Sequence, residues 1–223
     1  MLRDAALIAH KDLRLELRSR VALGQILPFA LLVLLLFAFA LDADRAVLNA
    51  TTPGLYWIAV LFSALLAVQR SFATEAVDGN RDALLLAGLE PAGIFLGKAA
   101  AVAAELLVLE LVLIGGVALF YDAAIGGWPL LVATCVTATA GLVAAGTIYG
   151  ALAGGLRVRE TLVPLLFLPV VAPVLLGATR AFEAALGSDT GTDGWAWCSL
   201  LGMFAVIYLV LGMAAFGSLL EDS

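Results

Sequence analysis

Two acidic residues lie within an apolar stretch of the sequence, where burying an ionisable side chain is costly and therefore suggests a function. Glu105 and Glu110 both fall within residues 94–121. Their spacing puts them about 140° apart around a helix, so they do not form a paired-carboxylate site. Each could line a substrate path or a subunit contact, or could be a protonated or helix-paired carboxyl group that only packs. Lys98, two turns before Glu105 on the same helical face, could compensate part of its charge.

The other residue types that carry chemistry form no recognisable catalytic or metal site in this sequence. Cys135 and Cys198 each lie in an apolar run and are expected to be small buried side chains. His10, the only histidine, is interpreted as a surface residue. The run from Gly93 to Lys98 resembles a phosphate-binding loop only superficially, because the four-residue spacer and the Ser or Thr after the lysine are missing. We therefore predict a non-catalytic protein with no metal ligands and no directly bound cofactor.

The longest charged interval between apolar runs, residues 73–93, is the strongest candidate for an interaction site. Its charged and turn-forming residues are Glu75, Asp78, Gly79, Arg81 and Asp82. The leucines between Asn80 and Leu89 predict a short amphipathic helix that lies on a membrane surface. Such a segment suits the docking of a cytosolic partner. Its charges would also fit a solvated loop, because cytosolic loops collect charge readily.

The composition is that of an integral membrane protein. Of 223 residues, 63% are hydrophobic and 13% are charged, against roughly 25% charged in soluble domains. Six segments each approach the roughly 20 apolar residues that cross a hydrocarbon core. They are Val21–Leu41, Leu55–Phe72, Ile94–Tyr121, Pro129–Gly154, Leu162–Phe182 and Trp195–Leu219. We predict one all-α membrane domain over residues 1–223, with six transmembrane helices.

Residues 1–20 precede the first span and predict an amphipathic helix. Apolar residues recur at steps of three and four, at Leu2, Ala6, Ala9, Leu13 and Leu17. Cations follow the same rhythm on a neighbouring face, at Arg3, Lys11, Arg14 and Arg18. A basic amphipathic helix of this kind is expected to lie in the membrane interface, with its cations near anionic headgroups.

The distribution of basic residues predicts the orientation. With the amino terminus in the cytoplasm, ten of the twelve basic residues fall in cytoplasmic segments and only Arg45 and Arg180 fall outside. Both termini and residues 73–93 are then cytoplasmic. The outer ends of the spans carry aromatic residues that are expected to form an interfacial belt. These are Tyr56, Trp57, Tyr121, Trp128, Trp195 and Trp197.

Prolines and glycines mark two of the spans. Pro164, Pro169 and Pro173 predict a broken or kinked fifth span, which would be either a moving gate or a bent helix in a bundle. In the fourth span, small residues at spacings of five, four and four predict a closely packed helix neighbour. They are Gly141, Gly146, Gly150 and Gly154.

The order of these features resembles the haem exporter protein B family, the membrane subunit of the ABC-type complex for cytochrome c maturation. The similar stretches run through most of the chain and are specific in combination. They are Lys11–Arg18, Pro53–Ala59, Gln69–Phe72, Glu75–Gly79, Gly97–Lys98, Arg157–Glu160 and Leu168–Val174.

The resemblance implies an ABC-2-type permease-like subunit, without ATPase activity, in a bacterial or archaeal plasma (inner) membrane. Its partners would be a separate ABC ATPase subunit, a second copy of itself and a haem-handling membrane subunit that loads a periplasmic chaperone. Haem would be a substrate handled by the complex. Residues 73–93 would be the coupling helix, docked on the ATPase through the charged residues named above. The lipid bilayer is the remaining partner, and no nucleic acid is expected.

Alternatives from other classes stay open at this point. A permease of another ABC-2-type exporter would need an ATPase but no haem protein. A secondary transporter would more usually show repeated halves with matching broken or charged spans. A scaffold protein would tolerate substitution of Glu110 and of the proline-rich fifth span. The residues also leave open whether haem crosses this subunit or ATP hydrolysis releases a loaded chaperone.

Overall fold

The computed structural model describes residues 1–41, 45–73, 88–121, 123, 125–153, 159–187 and 193–221, and this part of the chain is almost entirely helical, without strands. The helices are α1 (Leu2–Ser19), α2 (Leu27–Ala40), α3 (Arg45–Ala73), α4 (Pro91–Tyr121), α5 (Trp128–Ala153), α6 (Arg159–Ala185) and α7 (Gly194–Glu221). The prediction of an all-α membrane protein with a helix before its spans is confirmed.

Five of the described helices, α3 to α7, are each long and apolar enough to cross a bilayer. The first predicted span is shorter, because it consists of a π-helical stretch, Ala22–Ile26, continued by the 14 residues of α2. A bend of 53° separates α1 from residues 24–40. Counting this bent pair as one span brings the number to six.

The predicted spans Val21–Leu41 and Leu55–Phe72 leave residues 42–54 as a connecting loop, which is wrong over most of its length, because α3 begins at Arg45 and has Pro53 in its interior. Proline removes one backbone donor, which a helix tolerates where the local polar groups are satisfied. Two threonines just before it bond back onto the helix: Thr51 donates to the Val47 carbonyl at 2.9 Å, and Thr52 to the Leu48 carbonyl at 2.8 Å.

The proline-rich span is not broken. Helix α6 continues through Pro164, Pro169 and Pro173 as a single element, so of the predicted broken or kinked helix the break is absent, and the kink stays a prediction. Pro169 and Pro173 lie on the exposed side of α6, together with Leu165 and Leu176. They therefore contact the surroundings of the bundle rather than its interior.

Three of the four predicted glycines lie against neighbouring helices, as predicted, and the fourth, Gly154, lies outside the described residues. A Cβ atom at Gly146 would lie 2.8 Å from the Val68 side chain, and one at Gly150 would lie 2.5 Å from the Phe72 ring, both on α3. At Gly141 the nearest atom belongs to the Phe204 ring of α7, at 3.1 Å. Helix α5 therefore packs tightly on two sides, which the absence of Cβ atoms permits.

The predicted members of the aromatic belt differ in exposure. Trp128 and Trp195 are exposed, as residues of an interfacial belt should be, whereas Tyr56, Trp57 and Tyr121 are buried, so the belt is wrong for these three. The Tyr56 ring lies 4.6 Å from the Phe182 ring between centroids and 5.4 Å from the Trp57 ring. Tyr56 and Trp57 are part of the core because α3 begins ten residues earlier than predicted and places them well inside the bundle.

Candidate functional site

The predicted coupling residues Glu75, Asp78, Gly79, Arg81 and Asp82 lie outside the described residues. The structure does describe what flanks them: α3 ends at Ala73, and α4 begins at Pro91. We use the name α1 end for one region of the bundle. It is the region where α1 packs, where α3 ends and where α4 begins. The chain joins residues 74–87 to α3 and α4 in this region, so a displacement of that segment would act on these two helix ends.

Helix α1 packs directly against the first turns of α4, because two glycines allow its backbone to approach. A Cβ atom at Gly93 would lie 2.9 Å from the Met1 carbonyl oxygen and from the Asp4 Cβ. One at Gly97 would lie 2.6 Å from the Ala5 carbonyl oxygen and from the Ile8 Cβ. The four-residue spacing of the glycines matches one helical turn, so both lie on the contact face.

A buried cation lies at the centre of the α1 end. The Lys98 side chain is only 1% exposed and its Nζ lies 3.6 Å from Asp12 Oδ2 of α1. The same Nζ donates to the carbonyl and hydroxyl oxygens of Ser71 on α3, each at 3.4 Å, and lies 4.7 Å from the centroid of the Phe72 ring. A buried ammonium is tolerated only with such partners, so Lys98 joins three helices.

A second ion pair joins α1 to α3. Arg70 Nε lies 3.1 Å from Glu16 Oε2, and Arg70 Nη2 donates to the Ser19 hydroxyl at 2.7 Å. The Glu16 and Arg70 side chains are both largely buried. Because the guanidinium contacts two residues of α1 at once, its orientation relative to that helix is fixed.

Glu105 lies beside a cavity of about 260 Å³ at this end of the bundle. The cavity is lined by residues of α1, α3 and α4, among them Asp12, Glu16, Arg70 and Glu105. The Glu105 Oε1 atom is buried and forms no hydrogen bond within the described part of the chain. The cation near this carboxyl group is Arg70 rather than Lys98, so the expectation that Lys98 compensates Glu105 is wrong: Lys98 pairs with Asp12 instead.

Glu110 lies in a different environment, five residues further along α4. Its side chain is 1% exposed, and Oε1 accepts a short hydrogen bond from the Thr139 hydroxyl of α5. Tyr56 of α3 donates to the Glu110 backbone carbonyl at 3.4 Å and contacts Cys135 Sγ at 3.7 Å. The two carboxyl groups therefore occupy separate sites, as their spacing predicts, and Glu110 joins three packed helices.

We expect Glu110→Gln to change the stability of the protein by less than about 1 kcal/mol, because a neutral amide still accepts from Thr139 and carries no charge into the core. Glu110→Lys is expected to prevent accumulation, since it buries a cation without a carboxylate partner. Thermal unfolding in detergent and membrane abundance would measure both. Strong destabilisation by glutamine would contradict this packing role.

The sequence interpretation missed Asp12, Glu16 and Arg70 as members of a site. One signal was available: Asp4, Ile8, Asp12 and Glu16 recur every four residues and so share a face of α1. That face points into the bundle, whereas the predicted apolar residues Leu2 and Leu17 are exposed. The run from Gly93 to Lys98, which superficially resembles a phosphate-binding loop, contains the two glycines that contact α1.

The α1 end holds ion pairs between helices. Within the described ranges no group of three or more His, Cys, Asp or Glu residues could hold a metal ion. The ion pairs link α1 to the ends of α3 and α4, and these are the helices that flank residues 74–87.

Comparison with known proteins identifies the family. A family model described as "CcmB protein" matches residues 3–223. Heme exporter protein B of Haemophilus influenzae is 34% identical over 180 residues, which cover 80% of each chain. Heme exporter protein B of Paracoccus denitrificans is 32% identical over 218 residues and 93% of each chain, and that of Escherichia coli K12 is 31% identical over 80% of this chain and 81% of its own. The resemblance found in the sequence motifs is therefore confirmed, and the chain belongs to the CcmB protein family.

Proposed function

We propose that this protein is the membrane subunit of an ABC-type complex for cytochrome c biogenesis, which handles haem. The observation that carries the proposal is the family match over residues 3–223, together with relatives named as haem exporter subunits. The five long apolar helices fit a multi-pass permease in the inner membrane. Haem is the substrate of the complex in this proposal, either crossing the membrane or being released with a loaded chaperone.

The subunit is non-catalytic in this proposal, and a separate ABC ATPase supplies the energy. The ATPase docks on residues 73–93 through the segment that holds Glu75, Asp78, Gly79, Arg81 and Asp82. Two copies of the chain and a haem-handling membrane subunit complete the complex. The concentration of basic residues supports a cytoplasmic location for the docking segment and both termini in this proposal.

The intramembrane candidates separate into two kinds in this proposal. Glu105 is the polar residue to test for a role in function, because its carboxyl group borders a cavity. Glu110 holds α3, α4 and α5 together. Pro169 and Pro173 lie on the exposed side of α6, where they are placed for contact with lipid or with the second copy rather than for lining a path.

Reversing the charges of the docking segment is expected to uncouple the complex. Glu75→Lys combined with Asp78→Lys should lower mature cytochrome c by at least about tenfold, because each reversal replaces an attraction to the ATPase with a repulsion. Insertion into the membrane should be unchanged. A matched control is Asp42→Lys with Asp189→Lys, two residues between predicted spans that the proposed orientation puts on the opposite side of the membrane. Unchanged cytochrome maturation, or loss of insertion, would contradict the proposed docking.

The proposed function is tested first by affinity purification of the protein from native membranes in mild detergent. Mass spectrometry and a haem absorption spectrum of the purified material are the readouts. An ATPase recovered together with a haem-binding membrane protein is the expected result. An ATPase without haem proteins would indicate another exporter, and recovery of neither would overturn the proposal.

A further inference from the structure

The charges of α1 are sorted onto two faces. Asp4, Asp12 and Glu16 lie on the side that contacts the bundle, whereas Arg3, Arg14 and Arg18 are exposed. Attachment to a membrane surface explains the outer cations and leucines, because such helices bind anionic headgroups through basic residues. It does not require carboxylates that face the protein's own core. The inner face therefore has a separate role.

Each carboxylate of the inner face contacts a different point next to residues 74–87. Asp4 Oδ2 accepts from the backbone N–H of Glu90, immediately before α4, at 3.4 Å. Asp12 pairs with Lys98 in the second turn of α4, and Glu16 pairs with Arg70 in the last turn of α3. Helix α1 is thus bonded to both helices that enclose the segment, and Lys98 also bonds α3 directly through Ser71.

These contacts make relative movement of the three helix ends unfavourable. Separating α1 from α4 would pull Asp12 away from the buried ammonium of Lys98, and breaking a buried ion pair is strongly destabilising. At Gly93 and Gly97 the backbones of α4 and α1 are in close contact. Sliding α1 along α4 would bring it against residues that have a Cβ atom, and these would overlap with its backbone. Rotation of the α1 end as one body breaks none of these contacts.

We propose that α1 is a clamp that makes the ends of α3 and α4 move as one rigid unit and passes their displacement to α2 through the 53° bend. The inference rests on the proposed ATPase coupling and extends it, because it assigns a transmitting role to Asp12, Glu16, Arg70 and Lys98. These are positioning residues, which act through the helices they hold.

The test exchanges the charges of one ion pair in the full chain, assembled with its partners in native membranes. Glu16→Arg and Arg70→Glu are each expected to lower mature cytochrome c per ATP hydrolysed by at least about tenfold, while the complex still assembles. The double exchange restores an opposite pair and is expected to recover the yield to within about threefold. The matched control reverses Arg180 and Glu183, an exposed pair at 3.0 Å near the end of α6, and should change nothing.

A second readout measures the clamp itself in the isolated chain. Spin labels at two exposed leucines, Leu7 of α1 and Leu66 of α3, report the distance between these helices. One narrow distance distribution is expected for the wild type, a broad one for Glu16→Arg, and recovery in the double exchange. In the assembled complex the wild-type distance is expected to agree within about 2 Å between nucleotide-free and nucleotide-trapped states, as in a rigid unit.

The outcomes separate the two proposals. If the wild-type chain recovers no ATPase, the proposed coupling fails, and the label distances alone then decide whether the clamp exists. If an ATPase is recovered but single exchanges leave both yield and distance unchanged, the clamp is overturned and the coupling stands. Failure of the double exchange to restore either readout in an assembled complex also overturns the clamp.

Discussion

Replacing Gly97 with valine is expected to detach α1 from α4. The new Cβ would lie 2.6 Å from the carbonyl oxygen of Ala5, a backbone atom that cannot rotate away, so the whole of α1 must shift. Overpacking of this kind costs about 1–3 kcal/mol. The shift would also separate Asp12 from Lys98, which adds the cost of breaking a buried ion pair.

Thiol labelling measures this detachment directly. Ile8 is 3% exposed and lies against Gly97, so a cysteine at position 8, in a chain with Cys135 and Cys198 replaced by alanine, is protected while α1 is docked. Its reaction with a maleimide is expected to accelerate at least about tenfold in the Gly97→Val background, as local opening exposes it.

Gly115 provides the matched control on the same helix. No atom lies within 4 Å of the Cβ position at Gly115, so Gly115→Val makes the same chemical change without a clash. We expect its labelling rate at position 8 to equal that of the wild type. Equal protection in both variants would show that Gly97 does not hold α1 in place.

The second large effect is expected at the Lys98–Asp12 pair, and it is asymmetric. Lys98 is 1% exposed and Asp12 is 16% exposed. Asp12→Asn removes the carboxylate that lies 3.6 Å from the deeply buried ammonium and is expected to destabilise the protein by about 3 kcal/mol. Lys98→Met leaves Asp12 with a second cation, because Lys11 Nζ lies 3.0 Å from Asp12 Oδ1, and is expected to cost less.

The double variant Asp12→Asn with Lys98→Met is expected to recover most of the loss, because replacing both members of a buried pair removes the unpaired charge. Thermal unfolding of all three variants in one detergent gives the comparison. Reversal of the exposed Arg180–Glu183 pair serves as the control and should shift stability by less than about 1 kcal/mol. If Asp12→Asn is as stable as the wild type, the ion pair with Asp12 does not stabilise the buried ammonium of Lys98.

The sequence by itself determined the class of protein and most of the spans. Long apolar runs and sparse charges permit little besides membrane-crossing helices, because hydrocarbon offers no partner for an unsatisfied backbone group. The glycine spacing in α5 predicted close packing, because a missing Cβ has the same consequence wherever two helices meet. The motifs also identified the family before any contact was known.

Only the tertiary structure decided the partners of each charged residue. Periodicity places Lys98 and Glu105 on one face of α4, yet Lys98 pairs with Asp12, which is distant in sequence but adjacent in space. Tyr56 and Trp57 fit a membrane belt by composition, and the early start of α3 buries them instead. A sequence pattern determines the face of the helix on which a side chain lies. The partner of that side chain depends on which helices pack together, and contacts between residues distant in sequence determine this packing.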